Sequence, residues 1–166
     1  MDCGKSRNLR LAVAALIWAQ APTCAQAATQ AQISKLSDVS FGTIANFSTD
    51  LTNSQSICVY SNGTGQSTVY HVTASGSGTG SAFTLASGAS TIPYEVEWSS
   101  SPGKTSGTSL TSGTALTLQT SGANSASCSS GIATSASLIV ILRTATVQAA
   151  RAGTYSGTLT LTVAPN

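Results

Sequence analysis

The chain has 166 residues, of which 41% are hydrophobic and only 7% charged, and its formal net charge is +2. That charge sits in the first residues: from residue 28 onward, Lys35, Lys104, Arg143 and Arg151 balance Asp38, Asp50, Glu95 and Glu97. A neutral, sparsely charged body offers no electrostatic footprint for nucleic acid or anionic lipid, and no run approaches the roughly 20 apolar residues that a membrane-spanning helix needs.

Lys5, Arg7 and Arg10 form a positive leader, residues 11–19 (LAVAALIWA) a short apolar core, and Ala25-Gln26-Ala27 an A-x-A cleavage site. This is the pattern of a secretory signal peptide over residues 1–27. Lipidation at Cys24 is the weaker reading, because Pro22-Thr23 fits poorly ahead of such a cysteine. Export removes Cys3 and Cys24, which leaves Cys58 and Cys128 as an even pair. In an oxidising compartment such a pair reads as a disulfide, worth roughly 4 kcal/mol on the chain-entropy account, with two free buried thiols as the alternative. Residues 28–166 have the length of one domain.

Ser, Thr and Gly dominate that domain, but Thr, Val and Ile recur in alternation. Strands with hydroxyl-rich solvent faces, joined by Ser/Gly turns, account for this better than disorder does. No segment has a convincing helical period. The first alternation is Val39, Phe41 and on to Ile44. Residues 54–60 (SQSICVY) put Ile57 and Val59 on one face, and the turn Ser61-Asn62-Gly63 follows. Residues 67–74 (STVYHVTA) set Tyr70, Val72 and Ala74 against Val69, His71 and Thr73, and residues 76–81 (GSGTGS) form a flexible loop.

In residues 91–98 (TIPYEVEW), Ile92, Tyr94, Val96 and Trp98 line one side, while Pro93 points to a strand start or a sheet edge. A polar loop, residues 99–107 (SSSPGKTSG), leads to the strand 114–120 (TALTLQT). Residues 137–145 (SLIVILRTA) are apolar on both sides, as in a buried central strand. The last strand, within residues 153–163 (GTYSGTLTLTV), alternates Leu159, Leu161 and Val163 with Thr158, Thr160 and Thr162. It must find partners earlier in the chain or on another chain. About seven or eight such strands predict an all-β, antiparallel β-sandwich.

Reactive constellations are scarce. His71 stands alone mid-strand, and a catalytic base needs a nucleophile and an orienting acid beside it. Ser101 and Lys104 match an S-x-x-K spacing, but Pro102-Gly103 between them argues against the helical turn which that chemistry uses. Glu95 and Glu97 share a strand face without other support for glycoside chemistry. The glycines of residues 76–81 have no following helix to complete a phosphate site. One histidine and two distant cysteines give no metal spacing. No catalytic residue, metal or cofactor is expected, and the chain does not read as an enzyme.

The succession of VSFGTI (39–44), SICVYSNG (56–63), VYHVTA (69–74), IPYEVEW (92–98) and the ending GTYSGTLTLTV (153–163) resembles the spore coat protein U domain family, which includes subunits of archaic chaperone-usher pili. The resemblance implies an immunoglobulin-like sandwich over residues 39–166 that is missing its final strand and is completed by donor-strand complementation. It implies a periplasmic pilus chaperone, an outer-membrane usher and other pilus subunits as partners. It also implies export through the periplasm to a cell-surface fimbrium or the extracellular space, with a role in attachment and biofilm formation. The acceptor edge falls on Leu159, Leu161 and Val163 together with Val39 and Phe41, and the chaperone would hold the carboxylate of Asn166. Residues 28–38 (ATQAQISKLSD) form an N-terminal extension and a weak donor strand, since only Ala31 and Ile33 alternate before Lys35, and this suits a tip or minor subunit. A self-complete, secreted ligand-binding sandwich, with residues 76–81 and 99–113 as its contact loops, is the alternative.

Overall fold

The structure, a computed structural model, describes residues 29–63 and 68–166, so the expected signal peptide lies outside the described residues. Ten strands pair without exception antiparallel. One sheet contains β1 (Gln30–Ser34), β2 (Leu51–Asn62), β9 (Ala136–Leu142), β6 (Glu95–Ser99) and β7 (Thr108–Ser109), in that order. A second sheet has the order β10 (Leu159–Pro165), β3 (Val69–Gly76), β8 (Ala115–Thr120), and β4 (Thr84–Ser87) pairs with β5 (Ser90–Pro93) as a separate hairpin. In immunoglobulin terms β1-β2-β9-β6 occupy the A-B-E-D positions and β10-β3 the F-C positions. Among the described residues, no strand occupies the position beyond β10.

Packing explains these assignments. β9 is buried along its whole length between β2 and β6, as its unbroken apolar run predicts. Its inward residues Ala136, Leu138, Val140 and Leu142 meet Ile57 and Val59 of β2, Tyr70, Val72 and Ala74 of β3, and Val96 and Trp98 of β6 in one core. Trp98 and Tyr70, both fully buried, sit edge to face at 6.4 Å, and the indole N–H donates to the Tyr70 hydroxyl at 3.2 Å. A buried indole and phenol thereby satisfy each other without water.

Several expected boundaries move. Residues 91–98 hold one inward face, with Ile92, Tyr94, Val96 and Trp98 all buried, but two strands meet there: β5 pairs with β4, and β6 pairs with β9. Between them the Tyr94 amide donates to the Phe83 carbonyl at 3.0 Å. The strand expected over residues 137–145 stops at Leu142 and gives way to a short helix, α1 (Thr144–Ala149), where no helix was expected. A carboxylate from a distant segment makes the change: Asp50 Oδ1 accepts the Thr144 amide at 2.8 Å, which satisfies a first-turn donor. The first strand is β1, at residues 30–34, and not a strand around Val39, because residues 35–50 run as a strap without a ladder. β2 starts at Leu51 and so takes in three residues ahead of the expected 54–60.

Candidate functional site

The regular ending of the sequence becomes the edge strand β10, paired with β3 from Leu159 opposite Gly76 to Pro165 opposite Tyr70. The Asn166 amide donates to the Val69 carbonyl at 3.1 Å. Counting back from that bond in the antiparallel pattern, Ala164, Thr162 and Thr160 direct their backbone groups at β3, and Leu159, Leu161 and Val163 direct theirs away from it. Those three residues also turn their side chains inward, where each is half-buried against the main core. Thr160 and Thr162 are exposed on the other face.

Opposite this edge lie β1 and the strap. Val39, Phe41 and Ile44 of the strap are half-buried against the same core as Leu159, Leu161 and Val163. Val39, Phe41, Leu159, Leu161 and Val163 are thus each half-buried against the one main core, as are Ile33, Leu51 and Leu116 among others. Backbone ladders do not hold the strap. Asn53 Nδ2 donates to the Ser40 carbonyl at 2.9 Å, Gln55 Nε2 donates to the Ser37 carbonyl at 3.0 Å, and Gln55 Oε1 accepts the Ser37 amide at 3.0 Å. On β2 these two amides share the face of Leu51, Ile57 and Val59, so they face inward. Sequence reasoning missed them because a polar residue on the core face interrupts the pattern by which a strand is recognised.

The Cys58–Cys128 disulfide is formed, with Cα atoms 5.9 Å apart across a sequence separation of 70. Cys58 points to the outer face of β2, where it forms a small cluster with Ala123, Cys128 and Tyr60. Asn166 lies at the end of β10, and its side-chain oxygen is 3.1 Å from His71 Nδ1.

Polar chemistry elsewhere serves the fold. Arg143 Nε donates to Glu95 Oε1 at 3.0 Å and its Nη1 to Asp50 Oδ2 at 2.8 Å, which joins three segments at the surface. The Thr144 amide and then Arg143 hold the Asp50 carboxyl below its ordinary range, and the Arg143 hydrogen bond does the same for Glu95. Glu97 Oε2 accepts the Gly107 amide at 2.8 Å, so the two glutamates are engaged separately. Burial pushes the Tyr70 phenol up to about 12. Ser101 and Lys104 lie in a loop tied to the outer sheet face, where Ser137 Oγ donates to the Ser101 carbonyl at 2.9 Å and accepts the Lys104 amide at 3.0 Å. The loops 76–81 and 99–113 meet through Ser112 Oγ, which donates to the Ser81 carbonyl. Among the described residues, no group of His, Cys, Asp and Glu could hold a metal ion, and no helix is long and apolar enough to cross a membrane.

No protein-family model and no curated protein matches this sequence. Among solved structures, the fold is similar to that of a chain in a chaperone–tip adhesin complex described for CFA/I fimbriae biogenesis, at 17% identity and a TM-score of 0.52. The match covers 83% of this chain and 42% of that one, so this chain spans well under half of its neighbour's length.

Proposed function

We propose that this protein is a structural or adhesive subunit of a chaperone-usher surface fimbria, a non-enzymatic strand acceptor at the tip or a minor position. The observation that carries this reading is the outer edge of β10: it is regular, unpaired among the described residues, and flanked by Leu159, Leu161 and Val163, half-buried against the same core as Val39 and Phe41. An added strand would take the G position, bonding to the outward backbone groups of β10 while alternate side chains fill the apolar flank. First a periplasmic chaperone and then a neighbouring subunit would supply it, with an outer-membrane usher between the two steps. The sequence resemblance to the spore coat protein U domain family and the fold of a fimbrial complex component support this assignment. Attachment and biofilm formation follow as the cellular role, and Asn166 becomes the residue the chaperone grips.

The N-terminal extension enters differently from a free donor. Residues 30–34 form β1 inside the domain's own sheet, which favours a subunit that receives a strand and gives none.

The test is periplasmic expression of the full chain alone and beside a fimbrial chaperone, with soluble yield and unfolding temperature measured. Solubility that depends on the chaperone, or on a short peptide of alternating valine and threonine, is the expected result. A stable monomer indifferent to both would overturn the reading in favour of a free-standing ligand-binding sandwich.

A further inference from the structure

β1 forms one wall beside β10, and something other than its short ladder fixes it there. β1 has only five residues and pairs on one side alone, with Gln30 opposite Asn62 and Ser34 opposite Cys58. The loop of residues 121–135 reaches it across the outer face of β2. Both ends of that loop are fastened to Val59 by buried serines: Ser121 Oγ donates to the Val59 carbonyl, while Ser135 Oγ donates to the same carbonyl at 2.7 Å and accepts the Val59 amide at 2.8 Å. Its middle is fixed to Cys58 by the disulfide. On the far side of β2, the Ser34 hydroxyl donates to the Ala126 carbonyl at 3.1 Å, and the Lys35 ammonium donates to the carbonyls of Ala133 at 2.7 Å and Cys128 at 3.3 Å.

Lys35 has a φ of 61°, so the chain turns sharply there and leaves β1 for the strap. Downstream, the strap is held by side-chain amides and by Val39, Phe41 and Ile44 against the core, with no backbone ladder among the described residues to carry the register of β1. We infer that the disulfide-closed loop is a latch: through Ser34 and Lys35 it holds β1 as a fixed wall and thereby limits how far the flank beside β10 can open. The bearing on strand uptake rests on the acceptor reading above; the latch on β1 does not. Charge-assisted hydrogen bonds at a strand end act on local opening rather than on global unfolding.

Amide hydrogen exchange on the full oxidised chain tests this, compared with Lys35→Met and with the paired change Cys58→Ser, Cys128→Ser. Exchange of the β1 amides is expected to accelerate about tenfold or more in both variants, the scale of losing hydrogen bonds to a charged donor, while the β9 amides stay unchanged in Lys35→Met and accelerate less than β1 in the disulfide-free chain, whose global stability also falls. Should the disulfide-free chain fail to fold, Lys35→Met decides alone, since it alters an exposed side chain. Unchanged β1 protection in Lys35→Met, or equal acceleration in β1 and β9, overturns the latch. Failure of the acceptor reading would show separately, as no uptake of the alternating valine–threonine peptide by the unaltered protein.

Discussion

The three-stranded sheet has two edges, and they are built in opposite ways. On β8 the ladder with β3 slips between Tyr70 and Val72, so that Thr117 and Leu118 crowd opposite His71. Leu118 sits in the left-handed region at φ 58° with 76% of its surface exposed. A bulge of this kind twists an edge away from further pairing. On β10 the ladder runs without a slip, the inward residues are half-buried, and no charge or bulge interrupts the outer side. One edge carries a protection that costs backbone strain, and the other, in the same sheet, carries none. The two edges differ although only β3 lies between them.

Exchanging the two treatments should give the largest effects. Leu161→Lys sets an ammonium on the inward side of β10 and should weaken uptake of the valine–threonine peptide on the order of 100-fold, since burying an unpaired charge costs several kcal/mol. Titration calorimetry reads it, and affinity unchanged within a factor of three would refute a role for that face. Deleting Leu118 should straighten β8 into a second regular edge, so that light scattering of the chaperone-bound protein shows self-association that the unaltered chain, bound in the same way, lacks; a variant that stays monodisperse would mean the bulge does not guard the edge. A smaller gain is expected from Leu118→Gly, which relieves the left-handed strain and should stabilise the fold by about 1 kcal/mol in urea unfolding, the bulge being kept. No gain would show that the strain is absorbed elsewhere.

The smallest effect lies away from both edges. Because Asp50 and Glu95 hold their carboxyls below the ordinary range, their contribution to stability is complete above the unfolded values near about 4 and is lost as pH falls through the lower folded values. Arg143→Met should lower the unfolding temperature slightly at neutral pH and flatten its decline in acid. Parallel acid limbs for the two proteins would count against this linkage.

Strongly apolar faces were readable from sequence: β3 and the inward line Ile92, Tyr94, Val96, Trp98 lie where alternation puts them, and β9 where its apolar run does, although it stops at Leu142. The disulfide was readable from the two cysteines that remain once residues 1–27 are read as a leader. What escaped depended on partners distant in sequence. Nothing local in Arg143-Thr144 announces that Asp50 will cap a helix there. Asn53 and Gln55 concealed the start of β2 because their inward position makes sense only once the strap is laid across them. β1 read as an extension because its few apolar residues are a weak signal, and the loop that fastens it lies 92 residues further on, at Ala126. The inward alternation of Leu159, Leu161 and Val163 was legible, since an edge strand keeps its alternation whether or not its outer side is occupied.

Pro165 gives the open edge a stop. It ends β10 opposite Tyr70, and by the alternation its ring nitrogen faces outward, where a proline has no hydrogen to donate. A visiting strand therefore finds a ruler with its zero mark at Pro165. Sliding by one residue would turn every inward side chain of the visitor toward solvent, and sliding by two toward the chain end would place a carbonyl against that donorless nitrogen. On the acceptor reading proposed above, alignment is set by the host and the visitor is selected for its side chains.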